Sequence, residues 1–220
     1  MSPVRTSTLA RRAPVVLSLL LGLALLLPHD AAAGSGGTLV GRVVHPGGGG
    51  GLLVYVVHVD GTYPPPKTHA VMDQRDMHFL PRILPVLLGT TVDFLNSDTK
   101  VHNVFSPDHE GYNLGNWPPG QRRSYTFKRL GVYTQLCSLH PTMEAYVVVL
   151  QNPFFAITGE DGRFDLHGLP DGHYEMKVWG RRLSKAERAR TFPVHVRHGR
   201  AEVTLAFAAH HSASGKPAAH

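Results

Sequence analysis

The residues best equipped for chemistry lie together in the stretch Cys137-Ser138-Leu139-His140-Pro141-Thr142-Met143. Cys137 is the only cysteine in 220 residues; His140 follows it by three positions, and Met143 follows by three more. A thiolate, an imidazole and a thioether at this spacing point to copper, because soft sulfur ligands select Cu(I) and imidazole suits copper in either state. A trigonal set of two histidines and one cysteine with a weak axial methionine is an electron-transfer arrangement. Three of the four donors lie in this stretch, and His102 is the remote histidine that completes the set. Four protein ligands leave no open position, whereas substrate catalysis at a metal keeps one. The expected role is electron transfer, and no enzymatic activity is expected.

The elements that must position these donors read as strands. Residues 132–136 deliver Cys137 and residues 145–150 (AYVVVL) leave the loop, so the strands flanking this short loop can aim Cys137, His140 and Met143 at one point. Pro141 stiffens that loop. His102 sits where a strand restarts after the turn Asn96-Ser97-Asp98. Loops at one end of a β-sandwich cluster, so a histidine 35 positions upstream can reach the site. Further strands are expected at 38–44, 52–59, 70–79, 86–88, 91–95, 124–127, 163–166, 173–179, 191–196 and 201–207. Residues 107–123, rich in Pro, Gly and Asn, read as a long surface loop, and 184–190 as a short helix or loop. No stretch beyond the N-terminal apolar run keeps a helical period, so the chain is expected to be all-β.

Residues 1–33 combine Arg5, Arg11 and Arg12, an apolar run over 13–28 and the small residues Ala31-Ala32-Ala33. This is the pattern of a secretory signal cut near Ala33, which places the mature protein in the periplasm or outside the cell with no membrane span. Exported proteins use cysteines in pairs, and a metal-held thiolate accounts for the odd one. Beyond residue 33 the charge is 19 basic against 15 acidic residues, or +4, spread evenly with no basic run interleaved with aromatics, so no nucleic-acid partner is expected.

Two resemblances extend this reading. Val101-His102-Asn103-Val104, together with Gly131-Val132-Tyr133 and the Cys-x-x-His-x-x-Met spacing from Cys137, resembles the cupredoxin family, with plastocyanin and amicyanin as the nearest types. The resemblance implies a Greek-key β-sandwich over residues 62–151. It also implies one mononuclear type 1 copper held by His102, Cys137, His140 and Met143, with Asn103 tying the two ligand loops together by hydrogen bonds. Asp161-Gly162-Arg163-Phe164-Asp165-Leu166 and Leu169-Pro170-Asp171-Gly172-His173-Tyr174 resemble a carboxypeptidase regulatory-like, prealbumin-like sandwich over 152–208. Residues 38–59 fit the first hairpin of that second sandwich, with the cupredoxin unit inserted between its parts, and 209–220 read as a disordered tail. The whole resembles exported bacterial proteins of the methylamine-utilisation or plastocyanin-like kind. It implies a blue copper protein that passes single electrons to and from a periplasmic redox partner such as a cytochrome or a dehydrogenase. The alternative is a periplasmic copper-binding or copper-delivery protein without a redox role.

Other residues are read as bystanders. Of the 15 histidines, His45, His58, His69, His78, His109, His167, His173, His195 and His198 are expected on the surface or in strands. Met72 and Met77 are expected as packing residues, and Glu144 as a weaker competitor of Met143 for the axial position. A Cys137–His140 nucleophile–base pair lacks a third, orienting group.

Overall fold

The computed structural model describes residues 36–208; the expected signal segment and the expected tail lie outside the described residues. The strands run, in chain order, β1 (Gly37–Val44), β2 (Leu53–Val56), β3 (Ala70–Arg75), β4 (His78–Leu80), β5 (Ile83–Leu87), β6 (Thr91–Asn96), β7 (His102–Ser106) and β8 (Tyr112–Trp117). They continue with β9 (Arg122–Thr126), β10 (Gly131–Leu136), β11 (Glu144–Leu150), β12 (Phe155–Ile157), β13 (Arg163–Leu169) and β14 (Gly172–Trp179). The helix α1 (Lys185–Ala189), β15 (Phe192–Val196) and β16 (Arg200–Ala206) follow. The fold is all-β apart from that one short helix, which is held at its start by a capping box between Ser184 and Glu187. No helix among the described residues is long and apolar enough to cross a membrane.

Strands β3 to β11 make two facing sheets, ordered β4-β3-β6-β9 and β5-β11-β10-β7-β8. Their inward residues form one core that includes Met72, Phe94, Val104, Trp117, Phe127, Tyr133 and Val147, and Cys137 and Met143 belong to it. The remaining strands make a second pair of sheets, β13-β1-β16 and β12-β2-β14-β15. They close on Leu39, Val54, Leu166, Met176, Val178 and Leu205. A third, smaller cluster joins the two sandwiches through Val148 and Leu150 on β11 and Leu53 and Trp179 on β2 and β14. There the Tyr146 and Trp179 rings meet edge-on at 4.7 Å. Each fully buried Leu, Phe or Met side chain in these cores contributes about 1.5–3 kcal/mol relative to leaving it exposed.

Several expectations need correction. β1 and β2 are not a hairpin: β1 pairs with β13 and β16, and β2 with β12 and β14. Both strands turn apolar residues to the same core from opposite layers, and Thr158 fastens the glycine-rich link between them. Its hydroxyl donates to the Gly49 carbonyl at 2.7 Å and accepts from the Leu52 N–H at 2.9 Å. The single strand expected over 70–79 is two strands, β3 and β4, folded back at Asp76 and Met77, which have φ of 50° and 61°. Residues 107–123 are not all loop: Tyr112–Trp117 is the edge strand β8, paired with β7. Pro85 stands inside β5, which tolerates a missing N–H because it is an edge strand.

Candidate metal centre

β10 lies between β7 and β11 in its sheet and ends where it is paired to both, through Leu136↔Phe105 and Leu136↔Glu144. Cys137 follows at once, so its sulfur stays at the sheet end, 3% exposed. The closing pair Leu136↔Glu144 leaves residues 137–143 as the whole loop, and the Met143 N–H turns back onto the His140 carbonyl at 3.0 Å. His102 is the first residue of β7, fully buried, and a register shift between Asn103 and Phe105 distorts the β7–β8 ladder beside it. Such irregularities re-aim side chains next to functional sites.

These elements bring together the three strongest donors. Cys137 Sγ lies 3.9 Å from His102 Nδ1 and 3.8 Å from His140 Nδ1, and the two Nδ1 atoms are 3.0 Å apart. Metal bonds of about 2.0 Å to imidazole and 2.3 Å to thiolate in a trigonal plane separate the donors by roughly 3.8 Å for sulfur–nitrogen and 3.5 Å for nitrogen–nitrogen pairs. Both sulfur–nitrogen edges of the triangle match, and the histidine–histidine edge is tighter. His102, Cys137 and His140 are the one group of three such donors found among the described residues. Thiolate and imidazole together suit copper and zinc, and a thioether is a soft copper ligand. Met143 is 1% exposed in the same core as Cys137. His140 is half-buried, and burial, then the neighbouring charges of His102 and Lys100, push its pKa down, toward the neutral imidazole a metal requires.

Asn103, 1% exposed, joins the two arms of this site. Its backbone N–H points at Cys137 Sγ at 3.4 Å, and its side-chain oxygen accepts from the Ser138 N–H at 3.3 Å. Its amide nitrogen donates to Asn113 Oδ1 at 2.8 Å and to the Gly115 carbonyl at 2.9 Å, which fastens β8. Asp98 is a participant that the sequence reading missed. It lies in the turn before β7, with a side chain 6% exposed, and its Oδ2 is 3.0 Å from His102 Nε2. The Met77 N–H, then His102 and the Thr99 N–H, hold its carboxyl well below the ordinary carboxylate range against the opposing effect of burial. An acidic residue in the turn leading into a candidate ligand was the available signal.

The bystander residues are engaged elsewhere. Glu144, the considered competitor for the axial position, accepts from the Tyr146 hydroxyl and pairs with Arg181 at 3.0 Å. His45 meets Glu187, His69 meets Asp93 and His58 meets Asp60. His173 and His195 face each other across β14 and β15 with ring centroids 3.6 Å apart. Met72 is buried in the core, and Met77 sits in the β3–β4 turn.

No family model and no curated protein matches the chain. Solved structures similar to part of it include a purple cupredoxin from Nitrosopumilus maritimus at 29% identity, covering 36% of this chain and 98% of that one with a TM-score of 0.34. An amicyanin variant in the Cu(I) state matches at 28% identity, covering 37% of this chain and 81% of that one with a TM-score of 0.35. A Cu-containing nitrite reductase from Thermus scotoductus SA-01 matches at 26% identity over 44% of this chain and 25% of that one, with a TM-score of 0.37. The chain is thus similar to cupredoxins and a copper enzyme over less than half of its length.

Proposed function

We propose that this is an exported copper protein that carries single electrons, with His102, Cys137 and His140 as the equatorial ligands of one type 1 copper and Met143 as the axial one. The observation that carries the reading is the triangle of one cysteine sulfur and two imidazole nitrogens, buried at Cys137 and His102 and half-buried at His140, with edges of 3.0–3.9 Å. Copper held there supplies a reversible one-electron couple. The chain's own residues keep the ligand positions fixed: the 137–143 loop is closed by a strand pair, and Asn103 ties it to β7 and β8. Little then has to move when an electron arrives or leaves, and Met143 takes the position that a substrate would need. The protein is not an enzyme on this reading. Its partner is a second redox protein, such as a cytochrome or a dehydrogenase. The strands β1, β2 and β12 to β16 form a carboxypeptidase regulatory-like sandwich, with residues 62–151 inserted as the copper-binding domain. Residues 1–33 act as the export signal.

Titration of the protein with Cu(II), followed by visible and electron-paramagnetic-resonance spectra and run beside Cys137→Ser, tests this. An intense thiolate-to-copper band at one equivalent that vanishes in the variant is expected. Weak binding indifferent to Cys137 would overturn the reading. Reversible voltammetry then separates an electron carrier from a copper-delivery protein, which would release Cu(I) to a chelator instead of cycling.

A further inference from the structure

We infer that Asp98 is a positioning residue for the metal centre: its carboxylate fixes His102 as the Nε2–H tautomer, so that the bare Nδ1 lone pair faces Cys137 and His140. The inference deepens the copper reading, but its first test needs no copper. The geometry carries it. Oδ2 of Asp98 lies 3.0 Å from His102 Nε2, and neither side chain is more than 6% exposed. The other groups that reach this carboxylate are hydrogen-bond donors: the Met77 N–H at 2.9 Å on Oδ2, and the Thr99 N–H at 2.6 Å and hydroxyl at 3.4 Å on Oδ1. An ionised carboxylate only accepts, so Nε2 must carry the proton. A ring holding that single proton has its lone pair on Nδ1. That atom is 3.0 Å from His140 Nδ1, and two lone pairs cannot face each other at this distance without a proton or a cation between them. With His102 Nδ1 bare, His140 supplies that proton, or a metal replaces it.

The arrangement is prepared in advance. The Met77 N–H comes from the β3–β4 turn, where Met77 has a φ of 61°, and the Asn96 side chain shapes the turn carrying Asp98 by accepting from the Asp98 N–H at 3.1 Å and donating to the Lys100 carbonyl at 2.8 Å. The carboxylate therefore cannot swing away without giving up backbone partners. A carboxylate behind a ligating imidazole also raises its basicity, and such outer partners change metal affinity by about 10–100-fold. A more basic imidazole favours Cu(II) over Cu(I).

The test begins with long-range proton–nitrogen correlation spectra of the metal-free protein, which assign each imidazole tautomer. His102 is expected with a proton on Nε2 and none on Nδ1; a proton found on Nδ1 would overturn the proposal with no variant made. Asp98→Asn, which keeps an acceptor for the Met77 N–H, and Asp98→Glu, which keeps the charge, follow, with amide spectra to verify the fold. Asp98→Asn is expected to weaken Cu(II) binding about tenfold relative to Cu(I), which raises the midpoint potential by about 59 mV, and Asp98→Glu to recover part of the loss. An unchanged tautomer and potential in a folded Asp98→Asn protein would also overturn the proposal. If no thiolate–copper band forms in the parent protein, the copper reading fails while the tautomer result still decides the role of Asp98.

Discussion

The two sandwiches bury nearly the same kinds of apolar side chain but very different amounts of polar chemistry. Of the ten polar or charged residues buried among the described residues, eight (Gln74, Thr90, Asp93, Asn96, His102, Asn103, Ser106 and Gln135) lie in β3 to β11 or the turns between them. Only Asn152 and Thr158 belong to the other sandwich, and both secure the backbone around β2 and β12. Burying a polar group costs stability unless it is hydrogen-bonded. The sandwich that buries eight carries that cost at and around the three converging donors, and its neighbour carries it only at Asn152 and Thr158. On the proposed reading, metal chemistry falls to the first sandwich and structural support to the second.

The comparison predicts that the apolar cores can be damaged separately. Leu205→Ala, in the terminal sandwich, and Phe127→Ala, in the other, each cost about 2–5 kcal/mol. Calorimetry is expected to show the Leu205→Ala loss without a change in the copper spectrum of the folded protein. Concerted loss of both sandwiches in one transition would show that the Val148–Trp179 seam couples them fully.

A smaller and sharper contrast comes from two asparagines, each 1% exposed. Asn103→Ala and Asn152→Ala each remove buried hydrogen bonds and are expected to cost about 1–3 kcal/mol. Only Asn103→Ala should weaken copper binding, by about 10–100-fold, because only Asn103 touches the ligand loop. Equal copper affinity in both variants would sink the division of labour.

Acid should weaken the sandwich of β3 to β11. Burial alone would raise the Asp93 pKa, but hydrogen bonds from Ser124 and His69, then the charges of His69 and Arg122, outweigh it and hold the carboxyl below its usual value. A depressed carboxylate contributes its full stability above the unfolded pKa of about 4, and the contribution is lost as pH falls through the folded value. Melting temperatures of Asp93→Asn should therefore fall less steeply than those of the parent between pH 5 and 3. Smallest of all, Arg181→Ala removes an exposed partner of Glu144 and should change stability by no more than about 1 kcal/mol.

Much of the fold was legible because its strands alternate or run apolar between turn residues. What escaped did so for physical reasons. β8 (YNLGNW) has its Tyr and Trp offset by two Asn and a Gly, which strands disfavour; pairing with β7 and the Asn103 side chain make it a strand. The β3–β4 turn was hidden because Asp76-Met77 is not a usual turn pair, although both residues take positive φ. β12 is three residues long and exists through its pairing with β2. At the site, donor types and spacing pointed to His102, Cys137 and His140, whose donor atoms lie together. The acidic residue four positions before His102 was there to be read, but the contact that holds its carboxylate in place, the Met77 N–H of the β3–β4 turn, is tertiary and no local pattern contains it.

The pairing of β1 has a consequence for the order in which the chain acquires structure. Both of its partners, β13 and β16, begin at or after residue 163. During synthesis the first strand therefore emerges long before anything it can bond, while β3 to β11 have all their partners among themselves. The sandwich of β3 to β11 can close while β1 still presents an unpaired apolar edge, and such an edge is a template for wrong pairing. The residues of β16 release β1 from that exposure, so this route to wrong pairing closes only when β16 has been made.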